Sequence, residues 1–165
     1  MVSVVRGTKL PTSAVNPWTI GEDGNDPAAR DWASSARQLA VDARLLLDNS
    51  SLRNAYATAG MAVEHALKAK IMQHERMNTW PSRQRRPDVH THNMSRLIEL
   101  GGLRVAIQLE VARGSDLGLS WMLIKDFNIN DRYPSGRPFP LTLASDAVWA
   151  CEEGGLIGWL TQTIL

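Results

Sequence analysis

Between Trp32 and Leu46 the apolar residues Trp32, Ala36, Leu39, Ala43 and Leu46 recur at steps of four, three, four and three. Side chains at this spacing share one face of a 3.6-residue helix but would scatter over both faces of a strand, so the segment folds as a helix with one buried stripe. A second stripe of Leu52, Tyr56, Ala59, Val63, Ala66 with Leu67, and Ile71 predicts a helix from about Ser51 to about Arg76. Nowhere does an apolar-polar alternation mark a strand, and no unit recurs at a fixed period. The expected fold is therefore an all-α bundle of four to five helices.

Turn and cap chemistry divides the rest of the chain. Asp26-Pro27 reads as an N-cap followed by proline at the first helical position, and Asp48-Asn49-Ser50 ends that first helix. Trp80 to Asp88 is a loop bracketed by Pro81 and Pro87. Thr91 or Asn93 then caps a short third helix through Met94, Leu97, Ile98 and Leu100, stopped by Gly101-Gly102. A fourth helical region from Leu103 to Arg113 breaks at Gly114-Ser115 and resumes at Asp116. A loop from Asn128 to Pro140 precedes a last helix starting near Thr142 or Ser145, which Gly154-Gly155 kinks or ends. Residues 1–26 lack helical periodicity and read as an extended arm that Trp18 and Ile20 tack onto a body of residues 27–165. Gly60 lies inside the second helix, where it costs about 1 kcal/mol relative to alanine, and close approach by a neighbouring helix is the expected compensation.

A chain of 165 residues with 18 Lys+Arg against 17 Asp+Glu suits one domain that buries its own core, and its single cysteine, Cys151, builds no internal disulfide. Cys151 sits on an apolar helix face and reads as a core thiol. No run of about 18 apolar residues occurs, so no membrane span is expected, and a secretory leader is not recognisable, which points to the cytoplasm. A net charge of +1 gives no global attraction for nucleic acid. Any polyanion site must be a local patch, although 14 of the 18 basic residues are arginine, the better phosphate fork.

Few residue patterns carry chemistry. No phosphate-cradling glycine loop, zinc signature or nucleophile elbow is present, and neither a metal nor a cofactor is expected. His90 and His92 lie two apart at the entry to the third helix, a pairing as readily explained by a solvated turn as by chemistry. Arg85 precedes them by five and seven positions, beside Arg83 and Arg86. Glu64 stands four residues before Lys68, the order of an ordinary surface ion pair. The alternative places that carboxylate near the bundle interior, orienting a base or a substrate amine. Arg132, Tyr133 and Arg137 offer a guanidinium for phosphate and a ring for a base. They equally suit a turn that closes the end of the bundle.

Three stretches together resemble the HEPN family of helical domains: Ala59 to Ala69 around Glu64, His65 and Lys68, His92 to Leu100, and Asp131-Arg132-Tyr133-Pro134. The likeness spans roughly residues 28–163. It implies a bundle of four or five helices that forms homodimers, works beside a nucleotidyltransferase or antitoxin partner in toxin-antitoxin or antiviral systems, and in many relatives cleaves RNA without metal. The family's catalytic Arg, four to six residues, then His cannot be carried over, since no histidine follows Arg132. What the resemblance transfers is Glu64, Lys68, His92, Arg132 and Tyr133 as family-like positions. The leading expectation is a module that binds nucleotide, RNA or a partner protein through Glu64, Lys68, Arg85, Arg86, Arg132, Tyr133 and Arg137. One alternative is a metal-independent endoribonuclease using His90 or His92 with Arg85, Arg86 or Arg132. A second is a purely structural interaction bundle.

Overall fold

The computed structural model describes residues 26–164, and the arm expected over residues 1–26, including Trp18 and Ile20, lies outside them except for Asp26. Two long antiparallel helices form the frame, α1 (Ala29–Asp48) and α2 (Leu52–His74). They pack against each other along their length and are rich in buried alanines, Ala33, Ala36, Ala40 and Ala43 on α1 and Ala55, Ala59, Ala62 and Ala66 on α2, with Ser35 and Trp32 of the first meeting His65 of the second. Small side chains let the two backbones approach closely, and the turn at Asn49-Ser50 is short enough to enforce the antiparallel arrangement.

Fourteen of the 23 residues of α2 are buried, spread around most of its circumference, which makes it the central helix rather than a surface one. It is enclosed by α1, α3 (Met94–Leu100), α6 (Leu141–Cys151) and α7 (Leu156–Thr161), while α4 (Arg104–Arg113) and α5 (Asp116–Ile124) form a hairpin packed on α6. No strand occurs among the described residues. The fold is an all-α bundle, and the glycine breaks expected from the sequence divide it further, the fourth region into α4 and α5 at Gly114 and the last into α6 and α7 at Gly154-Gly155.

Several boundaries follow from cap chemistry. Asn93 Oδ1 accepts the Arg96 N–H at 2.9 Å and starts α3, and Ser115 Oγ accepts the Gly118 N–H at 3.1 Å to start α5. Two expectations need correction. Asp26 does not cap α1. The Pro27 carbonyl accepts the Trp80 N–H at 3.0 Å, holding the chain extended there, and the helix begins after Ala28, whose N–H donates to Asp31 at 2.8 Å. The last long helix starts at Leu141, directly after Pro140 and one residue from the expected Thr142. Gly60 is approached by a ring rather than by a helix, since a Cβ built there would overlap the side chain of Phe127, just beyond α5.

Candidate functional site

Glu64 is 3% exposed and binds two basic side chains. One carboxylate oxygen accepts Lys68 Nζ at 2.5 Å, and the other accepts His92 Nδ1 at 2.7 Å. The helical spacing of four stacks Lys68 over Glu64, while Asn93, by capping α3, sets His92 at the helix entrance facing α2. The ion pair expected at the surface is therefore buried. Lys68 is 9% exposed, its ammonium 5.0 Å from the Trp32 ring centre and 5.7 Å from that of Trp80. Two aromatic faces and one carboxylate thus replace the water that this cation has lost.

His92 differs from its partners in being open, with 59% of its side chain exposed. A carboxylate can only accept, so Nδ1 carries the proton and Nε2 faces outward. A histidine held in this way presents an oriented ring nitrogen, able to take or give a proton, to whatever reaches the surface.

The other histidines of this region are committed to structure. His90 Nε2 donates to the Pro81 carbonyl at 2.7 Å, and its ring packs on Trp80 at 5.8 Å. His65 Nδ1 lies 2.9 Å from Ser35 Oγ, and its ring meets Trp32 edge-on at 4.7 Å. Burial, reinforced by the nearby Lys68 charge and opposed by Glu64, pushes the His65 pKa down to about 4. The neutral imidazole is thus the native form. An unfolded chain takes up that proton near 6.5, so the contribution of His65 to stability is complete above about 6.5 and drains away as the pH falls toward 4. Denaturant unfolding at pH 7.5 and pH 4.5 is expected to differ by about 2 kcal/mol from this group, after allowance for its partial exposure. His65→Leu should flatten that part of the profile; an unaltered slope in the variant would refute the assignment.

Arg86 does not face Glu64. Its guanidinium bridges Glu75, at 2.5 and 3.1 Å, and Asp88, at 2.8 and 2.9 Å, clasping the connection between α2 and α3. Those bonds hold the carboxyls of both Glu75 and Asp88 below their ordinary range. Arg85 is exposed in the same connection and lines a small polar cleft with Asp26, Trp80 and Ser82.

Arg132, Tyr133 and Arg137 are gathered elsewhere, at the start of α2, where Arg53 Nη1 donates to the carbonyls of Asp131 and Tyr133. Arg53 and Glu64 are eleven residues apart on one helix, about 16 Å along its axis. The structure thus joins Glu64, Lys68 and His92 in one cluster and sets the Arg132 group apart from it. Reading the sequence missed Trp32, Trp80, His65 and Ser35 as parts of this site, and Arg53 and Phe139 as neighbours of the other group. The visible signal was Trp80 itself, a large aromatic in a polar loop. No group of three or more histidine, cysteine or acidic side chains among the described residues is placed to hold a metal ion. Cys151 is buried, its thiol 3.2 Å from the Ala59 carbonyl, and burial pushes its pKa up, as suits a core thiol. No helix of the described residues is long and apolar enough to cross a membrane.

No family model, curated protein or solved structure matches this chain.

Proposed function

We propose that this chain is a HEPN-like helical module that engages RNA or a nucleotide, with His92 as the group that meets the phosphodiester. The observation that carries the reading is the buried Glu64 carboxylate, which accepts His92 Nδ1 and leaves the outward Nε2 to exchange a proton. Breaking RNA through its own 2′-hydroxyl needs an acceptor for that proton and a donor for the leaving 5′-oxygen, both within the reach of an imidazole near neutral pH. Lys68 is not the phosphate ligand, because its ammonium is buried against Glu64. The exposed cation nearest in sequence is Arg96, one turn into α3 and bonded to Glu99 at 2.9 Å. The toxin-antitoxin or antiviral setting, the cytoplasmic location, the homodimer and the nucleotidyltransferase partner belong to the same proposal and rest on the resemblance.

The test uses the full chain with tRNA and mRNA substrates in the presence of EDTA. Cleavage lost by at least about a hundredfold in His92→Ala and kept in His90→Ala identifies His92 as the acid-base group. RNA binding without cleavage, weakened in His92→Ala, identifies the site as a binding surface only. Should the wild type and His92→Ala neither cleave nor differ in RNA affinity, the proposal is wrong. The purely structural reading is favoured by one separate feature, the exposed Val105 and Leu109 one turn apart on α4. Capture of a folded partner that Leu109→Arg abolishes is the outcome that would support it.

A further inference from the structure

The loop from Asn128 to Pro140 closes over the first turns of α2 and leaves a cavity of about 460 Å³, lined by Arg53, Asp131, Tyr133, Arg137, Phe139 and Leu143 among others. Arg53 is its frame. Besides the Asp131 and Tyr133 carbonyls, at 2.6 and 2.8 Å, it bonds Ser135 Oγ at 3.0 Å and lies 4.9 Å over the Phe139 ring. Pro134, Pro138 and Pro140 further restrict the loop, so its shape is set before any ligand arrives.

The charge of this cavity is not balanced by acids. Arg44, Arg86, Arg96, Arg104 and Arg113 each meet a carboxylate within 3.5 Å. Among the described residues, Arg53, Arg132 and Arg137 have no carboxylate partner within 4.0 Å. Arg53 is satisfied by neutral oxygens, Arg132 lies 4.9 Å over the Tyr133 ring with Nη2 donating to its hydroxyl at 2.8 Å, and the exposed Arg137 side chain makes no hydrogen bond among the described residues. Asp131 is the one acid in the lining and points at the Tyr56 hydroxyl, 3.5 Å away. Two guanidiniums, Arg53 and Arg137, and two rings, Tyr133 being 55% exposed, therefore line a preformed hollow whose charge is positive in a chain that is nearly neutral overall, while Arg132 stacks on Tyr133 outside the lining.

We infer that this cavity binds a nucleoside monophosphate unit, with the phosphate against Arg137 and the base against Tyr133 and Phe139. Guanidinium forks match phosphate oxygens, aromatic rings match a base, and the volume falls in the range of small-ligand sites, about 300–1,000 Å³. The unit has two possible sources, a free mononucleotide or the phosphorylated end of an RNA strand. The site stands apart from Glu64 and His92 and does not depend on acid-base chemistry there.

The experiment is calorimetric titration of the full chain with AMP, GMP, CMP and UMP, with inorganic phosphate, and with an RNA hexamer bearing either a 5′-phosphate or a 5′-hydroxyl. At least one mononucleotide is expected to bind about tenfold or more tighter than inorganic phosphate. Arg137→Gln, at an exposed position, should weaken nucleotide binding by about tenfold or more. Tyr133→Leu should weaken the nucleotide but not inorganic phosphate, and His92→Ala should bind as wild type does. Preference for the phosphorylated hexamer over the mononucleotide assigns the site to strand ends; the opposite preference assigns it to free nucleotides. The inference is overturned if no mononucleotide binds at millimolar concentration, if inorganic phosphate binds as tightly as every nucleotide, or if Arg137→Gln leaves affinity unchanged while circular dichroism shows the native fold.

Discussion

Glu64→Ala is expected to lower the unfolding free energy by about 3–5 kcal/mol, the cost of stranding a buried charge without its partner. Lys68 has no other carboxylate within 4.0 Å among the described residues, and its buried ammonium packs beside the Trp32 and Trp80 rings. The loss is large against the roughly 5–15 kcal/mol that holds a domain together. His92 would at the same time lose the acceptor that orients it. Urea unfolding followed by tryptophan fluorescence measures the first effect, since Trp32 and Trp80 report directly on the site. The double variant Glu64→Leu with Lys68→Met removes both charges at similar volume and should recover most of the stability while leaving His92 unoriented. A loss below about 1 kcal/mol in Glu64→Ala would mean that the ammonium reaches solvent, contrary to its 9% exposure.

The second large effect is expected at Gly60. In an open helix, alanine for glycine stabilises by about 1 kcal/mol. Here the added methyl would occupy the space of the Phe127 ring, which is itself 8% exposed and packed 5.2 Å from the ring of Tyr56. The buried ring has little room to retreat, and overpacking of this kind, at about 3 kcal/mol, should outweigh the helix gain by about 2 kcal/mol. Gly60→Ala therefore lowers the melting temperature, and Phe127→Leu combined with it should restore part of the loss by making room. If Gly60→Ala instead raised stability, the close approach of Phe127 would be refuted.

Periodicity within the chain reports what one helix presents to its neighbours, and so α1 and α2 were legible before any coordinates, as was the cap of α3 to within the choice of Thr91 or Asn93. It is silent about what a loop delivers from a distance. Trp80 belongs to no helix, yet it is 1% exposed and closes the wall of the Lys68 site, and its N–H on the Pro27 carbonyl shifts the start of α1. Glu64 was visible as half of an i,i+4 pair. Its burial was not, because the residues that cover it, Trp32, Trp80 and His92, come from three other segments. The same holds for the second cavity, where Tyr133 and Arg137 stood out in sequence while Arg53 and Phe139 gain meaning only from the way the loop folds back on α2.

The short turn between α1 and α2 bears on the order in which the chain assembles. Contacts within that hairpin join residues close in sequence and form early, whereas α6 and α7 reach the same central helix only after the intervening 66 residues, 75–140, have been synthesised. Until then the side of α2 that carries Ala59, later sealed by Cys151, is bare. Newly made chains thus pass through a stage in which a flat, small-sided apolar surface is exposed, and this surface is where self-association during synthesis would begin.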